Sequence, residues 1–68
     1  MKNQIVTIED FETGKFAAQL FSYEYKLGSL IPTLMRKTEP TFDTSEDAAQ
    51  SMFKNLEPEI QRNTEVYK

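Results

Sequence analysis

The sequence contains no cysteine, no histidine and no tryptophan among its 68 residues, and it has only two glycines. Without cysteine and histidine, the chain can form no disulfide and lacks the ligands of most zinc and transition-metal sites. The same absence removes the usual nucleophile–base pairs of hydrolases, in which histidine is the common base. Two glycines are too few for a glycine-rich phosphate loop. These absences predict a protein that is not an enzyme and needs no cofactor.

Long apolar runs are also absent. No stretch approaches the roughly 20 apolar residues that a membrane-spanning helix requires. The first ten residues, MKNQIVTIED, carry one lysine and then become acidic, which is not the layout of a signal peptide. We therefore expect a cytoplasmic protein that does not act on a membrane.

The residues that are present indicate a folded but marginal domain. Hydrophobic residues make up 38% and charged residues 28% of the chain, which is typical of a globular fold. A chain this short buries only about 60% of its unfolded surface, so self-association would help it, and we expect a homodimer. The net charge of −3 disfavours nucleic acid as a partner, because binding it relies on phosphate neutralisation.

An amphipathic helix is predicted from the segment TFDTSEDAAQSMFKNL, residues 41–56. Asp43, Thr44 or Ser45 can each cap its start, and TSED is close to a capping box. Apolar residues then recur at spacings of three and four, at Ala49, Met52, Phe53 and Leu56. We expect Phe53, in the middle of this stripe, to be a central core residue. The proline two residues after the segment should end the helix.

Three earlier segments predict strands, and they are residues 4–11, 16–25 and 30–37. The first contains the β-branched run Ile-Val-Thr-Ile, and a glycine-containing turn follows each of the first two. Pro32 cannot donate to a ladder, which makes the third segment an edge strand open to pairing in a dimer. The prediction is an α+β fold, a three-stranded antiparallel meander followed by one helix. Residues 1–60 would form the domain and residues 61–68 a polar, fraying tail.

A rival interpretation makes Thr7 to Leu27 helical and the fold all-α. Phe16, Leu20, Tyr23 and Leu27 fall at helical spacing, and Gly28 would lie at the C-terminal end. Gly14 counts against it, because an interior glycine costs about 1 kcal/mol relative to alanine. The α+β interpretation is favoured.

The candidate binding residues are Tyr23, Tyr25, Arg36 and Lys37. On a strand, Tyr23 and Tyr25 project to the same face, where they can anchor a protein partner or stack on bases near the two cations. In the competing interpretation, the helix covers both tyrosines and makes them structural. A binding role would make this a small protein of the kind that phages and bacteria encode to modulate or inhibit a host or cellular complex. The alternative is a nucleic-acid-binding module that uses the sheet face.

Two acidic clusters, at residues 9–12 and 43–47, are the remaining candidates for chemistry. Paired carboxylates can perform acid–base catalysis or bind a divalent cation. Neither cluster has the spacing of a calcium loop, and helix capping accounts for the second. We predict surface acids here, with no catalytic or metal-binding residue.

The segments GKFAAQLFSYEYK and TEPTFDTSEDAAQSMFKNL resemble a known pattern. Arm-type DNA-binding domains of phage tyrosine recombinases combine a Gly-Lys-aromatic strand start with an F-x-T-x-x-E-A helix entry. Gly14-Lys15-Phe16 and the segment from Phe42 to Ala48 are similar in kind. HicB-like antitoxins share the sheet-then-helix layout. The resemblance spans about residues 4 to 57 and implies the fold alone.

Overall fold

A computed structural model describes residues 2–66, which form a mixed four-stranded sheet and two short helices. In chain order the elements are β1 (Lys2–Asp10), β2 (Lys15–Lys26), β3 (Ser29–Lys37), α1 (Ser45–Lys54), α2 (Pro58–Arg62) and β4 (Thr64–Val66). The strand order across the sheet is β3-β2-β1-β4. The predicted α+β class is confirmed, and the sheet contains one more strand than was predicted.

The β1–β2 hairpin supplies the centre of the sheet. The two strands pair antiparallel over nine residue pairs, with Ile5 directly opposite Leu20. Gly14 has a φ of 73°, a value that suits glycine, and its N–H donates to the carbonyl of Asp10 at 2.7 Å. The interpretation of Thr7 to Leu27 as a helix is therefore wrong. Its apolar residues alternate between the two faces of β2 instead of lining one side of a helix.

The β2–β3 hairpin turns through only two residues, Leu27 and Gly28. Their φ values of 53° and 80° are both positive, which is the signature of a type I′ turn. Glycine adopts this conformation freely, whereas leucine pays a steric cost. Leu27 is also fully exposed at the tip of the hairpin. β3 forms one edge of the sheet, as Pro32 predicted.

Helix α1 begins at a threonine cap. Thr44 has extended backbone angles, and its Oγ1 accepts a hydrogen bond from the Asp47 N–H at 3.0 Å. The helix ends at Lys54, and Pro58 then lies at the start of α2. Proline is favoured at a first helical position because its missing N–H would have no intrahelical partner there. The proline that was predicted to end the first helix is thus the first residue of a second helix, which was not predicted.

The end of the described chain adds β4, which pairs in parallel with β1. The N–H of Asn3 donates to the carbonyl of Asn63 at 2.8 Å, and Val66 packs against the core. Residues 61–66, which the sequence analysis assigned to a polar tail, are therefore part of the folded unit. The last two residues of that tail lie outside the described residues.

The core lies between α1 and one face of β1 and β2. Its buried residues are Ile5, Ala18, Leu20, Ala48, Ala49, Met52 and Leu56. Ile5 and Leu20 are the largest fully buried side chains. Phe53 is only partly buried at the margin of this cluster, so its prediction as a central core residue is wrong. Met52, one position earlier, takes that place.

Both helices within residues 2–66 are too short and too polar to cross a membrane.

The cap of α1 gives a first testable prediction. Replacing Thr44 with alanine removes the acceptor for the Asp47 N–H, so we expect the free energy of unfolding to fall by about 1 kcal/mol. The exposed neighbour provides the control, because Ser45→Ala should change stability by less than about 0.5 kcal/mol. Urea denaturation followed by circular dichroism measures both. Equal losses would show that Thr44 Oγ1 is not the cap.

Candidate functional site

One face of the sheet packs on no helix within residues 2–66. In β2 the buried residues Ala18 and Leu20 point toward α1, so the residues that alternate with them point away. The strand register extends this second surface to β1 and β3. We call it the open face, and its apolar members are Val6, Ile8, Ala17, Phe21, Tyr23, Tyr25, Leu30, Pro32 and Leu34. β2 thus carries apolar residues on both faces, and a helix packs on one of them.

Tyr23 and Tyr25 both belong to the open face. Tyr23 is half-buried and lies opposite Pro32, whereas Tyr25 lies opposite Leu30 and is 78% exposed. The interpretation in which the helix covers both tyrosines is therefore wrong. A groove of about 590 Å³ lies beside them, and it is lined by Lys2, Gln4, Tyr23, Glu24, Tyr25 and Leu30.

Arg36 and Lys37 point to opposite sides of the sheet. Lys37 lies opposite Gln19 and belongs to the open face, at the far end of β3 from Tyr25. Arg36 lies opposite Leu20 on the helix side, where its Nη2 is 3.4 Å from both carboxylate oxygens of Glu57. The structure thus brings the two tyrosines together and places Lys37 on the same surface. Arg36 instead links β3 to the loop before α2.

A β-bulge decides which of the two cations lies on the open face. The register shifts where Leu20 and Phe21 of β2 oppose Arg36 and Leu34, which leaves Met35 as the extra residue of β3. Simple alternation from Leu34 would have put Arg36 on the open face and Lys37 on the helix side. The bulge reverses that assignment. No residue in β3 is of a type that indicates a bulge, so the bulge could not be predicted from the sequence.

Sequence reasoning missed the apolar neighbours that surround the tyrosines. Leu30 and Leu34, each about half-exposed, extend the surface onto β3, and Ile8 extends it onto β1. Strand alternation contained a signal for them, because Leu30, Pro32 and Leu34 are spaced two apart. The prediction for this segment rested on Pro32 alone, which indicated an edge strand and no surface.

Few acidic side chains lie on the open face. Among the strand residues, the register assigns to it the acids Asp10 and Glu65 and the cations Lys2, Lys15 and Lys37. Lys2 and Glu65 form an ion pair at 3.1 Å between Nζ and Oε1. The chain carries a net charge of −3, so its negative charge lies mainly in the turns, the helices and the helix side of the sheet.

The two acidic clusters are explained by local structure. Asp10 Oδ1 accepts a hydrogen bond from the N–H of Glu12 at 3.0 Å, which stabilises the β1–β2 turn. Lys15 donates a hydrogen bond to Asp43, and this contact, followed by the positive charge of the lysine, lowers the pKa of that carboxyl. Within residues 2–66, no three acidic side chains lie close enough together to hold a metal ion.

Phe11 and Leu27 are the most exposed large apolar residues of the described chain. Both lie in turns, Phe11 between β1 and β2 and Leu27 between β2 and β3. Neither belongs to the open face. They are single apolar residues at opposite ends of β2 and do not form a patch together.

Comparison of the chain with models of known protein families, with curated proteins and with solved structures found no match. The likeness to recombinase arm domains and HicB-like proteins therefore stays a prediction.

Proposed function

We propose that this chain is a small non-catalytic binding protein that docks another protein through the open face of its sheet. The observation that carries the proposal is an apolar sheet face, with Tyr23 and Tyr25 toward its β2–β3 hairpin end, on which neither helix packs. A sheet with apolar groups on both faces ordinarily buries both of them. Contiguous exposed apolar surface on a small protein is typical of an interaction site.

The composition of the open face supports a protein as the partner. Tyrosine is enriched among the residues that dominate protein interfaces, because it offers a large apolar ring together with a hydroxyl. Leu30 and Leu34 surround the tyrosines with aliphatic surface, as in the apolar centre of an interface. The cytoplasm is the proposed location, and modulation or inhibition of a host or cellular complex is the proposed role.

Nucleic acid is the second candidate partner, and the charges argue against it. A sheet that stacks bases on aromatic rings also needs free cations to meet the phosphates. Lys2 is paired with Glu65 at 3.1 Å, and Arg36 is paired with Glu57 on the opposite side of the sheet. Lys37 lies at the far end of β3 from Tyr25. Among residues 2–66, no cluster of unpaired cations therefore lies beside the tyrosines.

The double substitution Tyr23→Ala and Tyr25→Ala tests the proposal. Truncating these two aromatic side chains should weaken partner binding by more than about 30-fold, since even one interface anchor of this kind is worth about 2 kcal/mol or more. A tagged protein, incubated with lysate of the cells that encode it, should retain its partner only in the wild-type form. Circular dichroism must show that the variant keeps the folded spectrum.

A variant on the outer surface of α1 is the matched control. Gln50→Ala with Lys54→Ala also truncates two exposed side chains, on the side of the molecule opposite the open face. We expect it to retain the partner. Equal retention by both double variants would overturn the proposed docking surface. Capture of nucleic acid that disappears with the tyrosines would favour the second candidate.

A further inference from the structure

We propose that, in the isolated protein, a second copy of this chain occupies the open face, so that the two sheets pack face to face about a twofold axis. This inference rests on the proposed function and names the first occupant of the same surface. It implies that a protein partner using Tyr23 and Tyr25 has to displace the second copy. Binding of that partner then competes with self-association.

The first argument is the amount of exposed surface. A folded monomer of this mass is expected to expose about 4,400 Å², whereas the chain exposes 5113 Å². The excess of about 700 Å² is close to the roughly 800 Å² that each partner buries in a standard protein interface. One further copy on the open face is therefore enough to bring the exposed surface to the ordinary range.

The second argument is the shape of the chain. Its radius of gyration is 12.6 Å, whereas a compact chain of this length has about 11 Å. The overall dimensions are 40 × 26 × 18 Å, and the shortest of them corresponds to one sheet with one helical layer. Two-layer domains bury an apolar sheet face against another element. The described chain offers one helical layer for two apolar faces, and a second sheet can cover the other.

The third argument is charge. Two identical chains with a net charge of −3 repel each other unless the contact surface is nearly neutral. The open face meets this condition, because its strand residues include three lysines and two acids. A twofold interface brings the same patch from both copies together, so an acidic face would have been unsuitable.

The free edge of β3 suits a second copy less well than the open face. In a two-residue hairpin, Lys26 and Ser29 form a hydrogen-bonded pair, and the pairs then alternate along the strands. Tyr23 and Pro32 form a pair that is not hydrogen-bonded. The backbone nitrogen and carbonyl of Pro32 therefore face the free edge of the sheet. Proline has no N–H to offer there, which interrupts the donors in the middle of β3. The homodimer predicted from the sequence is therefore expected to form through the face and not through the edge.

Sedimentation velocity of the purified protein tests the proposal. Between about 1 µM and about 200 µM, a range that spans weak interfaces of this size, the wild-type mass should rise to twice the 7.9 kDa of the chain. Leu34→Lys should raise the dissociation constant of the dimer at least about tenfold, because a twofold interface contains the substituted residue twice. A single-stranded oligonucleotide should bind neither form.

Matched variants on β3 separate the face from the edge. Ile31→Lys places the same charge at a similarly exposed site on the helix side of the same strand, and it should leave the dimer unchanged. Pro32→Val keeps an apolar side chain and restores the missing N–H, so it should tighten only a dimer that forms through the edge. If Leu34→Lys fails to fold, Tyr25→Lys replaces it, since Tyr25 is 78% exposed.

Several results would overturn the inference. The first is a wild-type protein that stays monomeric at the highest concentration. The second is a dimer that Leu34→Lys and Ile31→Lys weaken equally, and the third is a dimer that Pro32→Val makes tighter. Oligonucleotide binding that Tyr25→Lys abolishes would assign the open face to nucleic acid instead.

A photo-crosslinking residue at position 25 distinguishes this inference from the proposed function. Crosslinking of the purified protein to itself supports the second copy. A monomer that crosslinks in lysate to a different protein overturns the second copy and leaves the proposed function standing. Crosslinks from the exposed helix position 50, with none from position 25 in either sample, would contradict both.

Discussion

Replacing Leu20 with alanine is expected to lower the free energy of unfolding by about 2 to 5 kcal/mol, as large-to-small changes in cores do. Leu20 is fully buried, and it lies opposite Ile5, the other large side chain with no exposed surface. The structure around a buried side chain relaxes only partly when that side chain is truncated, so a cavity remains. A chain of this length has a total stability of roughly 3 to 10 kcal/mol. The loss is a large share of that total and should lower the midpoint of thermal unfolding by about 8 °C or more.

Leu27 offers a control of identical chemistry. It has the same side chain on the same hairpin, but it is fully exposed at the turn. Leu27→Ala keeps a non-glycine residue at positive φ, so the backbone cost is similar before and after the change. We expect stability to change by less than about 0.5 kcal/mol. Thermal melts followed by circular dichroism at 222 nm compare the two, and similar losses would mean that the core is assigned to the wrong face of β2.

The sequence predicted the elements whose signals are local. The β-branched run of β1, the glycine at each turn and the capping residues of α1 each act within a few positions, and the structure has all of these elements. The division of β2 into two faces was also predictable, because side chains of a strand alternate. This alternation correctly predicted that Tyr23 and Tyr25 lie on the same face of the sheet.

The sequence could not predict the features that depend on distant parts of the chain. β4 has three residues, and its partner β1 lies at the other end of the sequence, so local propensity gave no sign of it. α2 has five residues and begins at the proline that was interpreted only as the end of α1. The bulge at Met35 depends on how β3 meets β2, and it moved Arg36 out of the candidate site.

The covered side of the sheet is also beyond local inference. Both faces of β2 carry apolar residues, so side-chain alternation alone does not show which face a helix covers. Small side chains meet where the helix packs. α1 packs where β2 presents Ala18 and where the helix presents Ala48 and Ala49, all of them buried. Small residues on both surfaces allow a helix to approach a sheet closely, whereas the open face presents Phe21, Tyr23 and Tyr25 in the same strand.

Ala18→Leu should therefore destabilise the protein strongly, by about 1 to 3 kcal/mol or more. Ala18 has no exposed surface, and its backbone is fixed by two hydrogen bonds to Thr38, each 2.9 Å long, so the strand cannot move away from a larger side chain. Ala17→Leu is the matched control, since it adds the same atoms one residue earlier on the open face. At concentrations low enough to keep the protein monomeric, it should change stability by less than about 0.5 kcal/mol. Urea denaturation compares the two variants, and equal destabilisation would show that the open face is covered within a single chain.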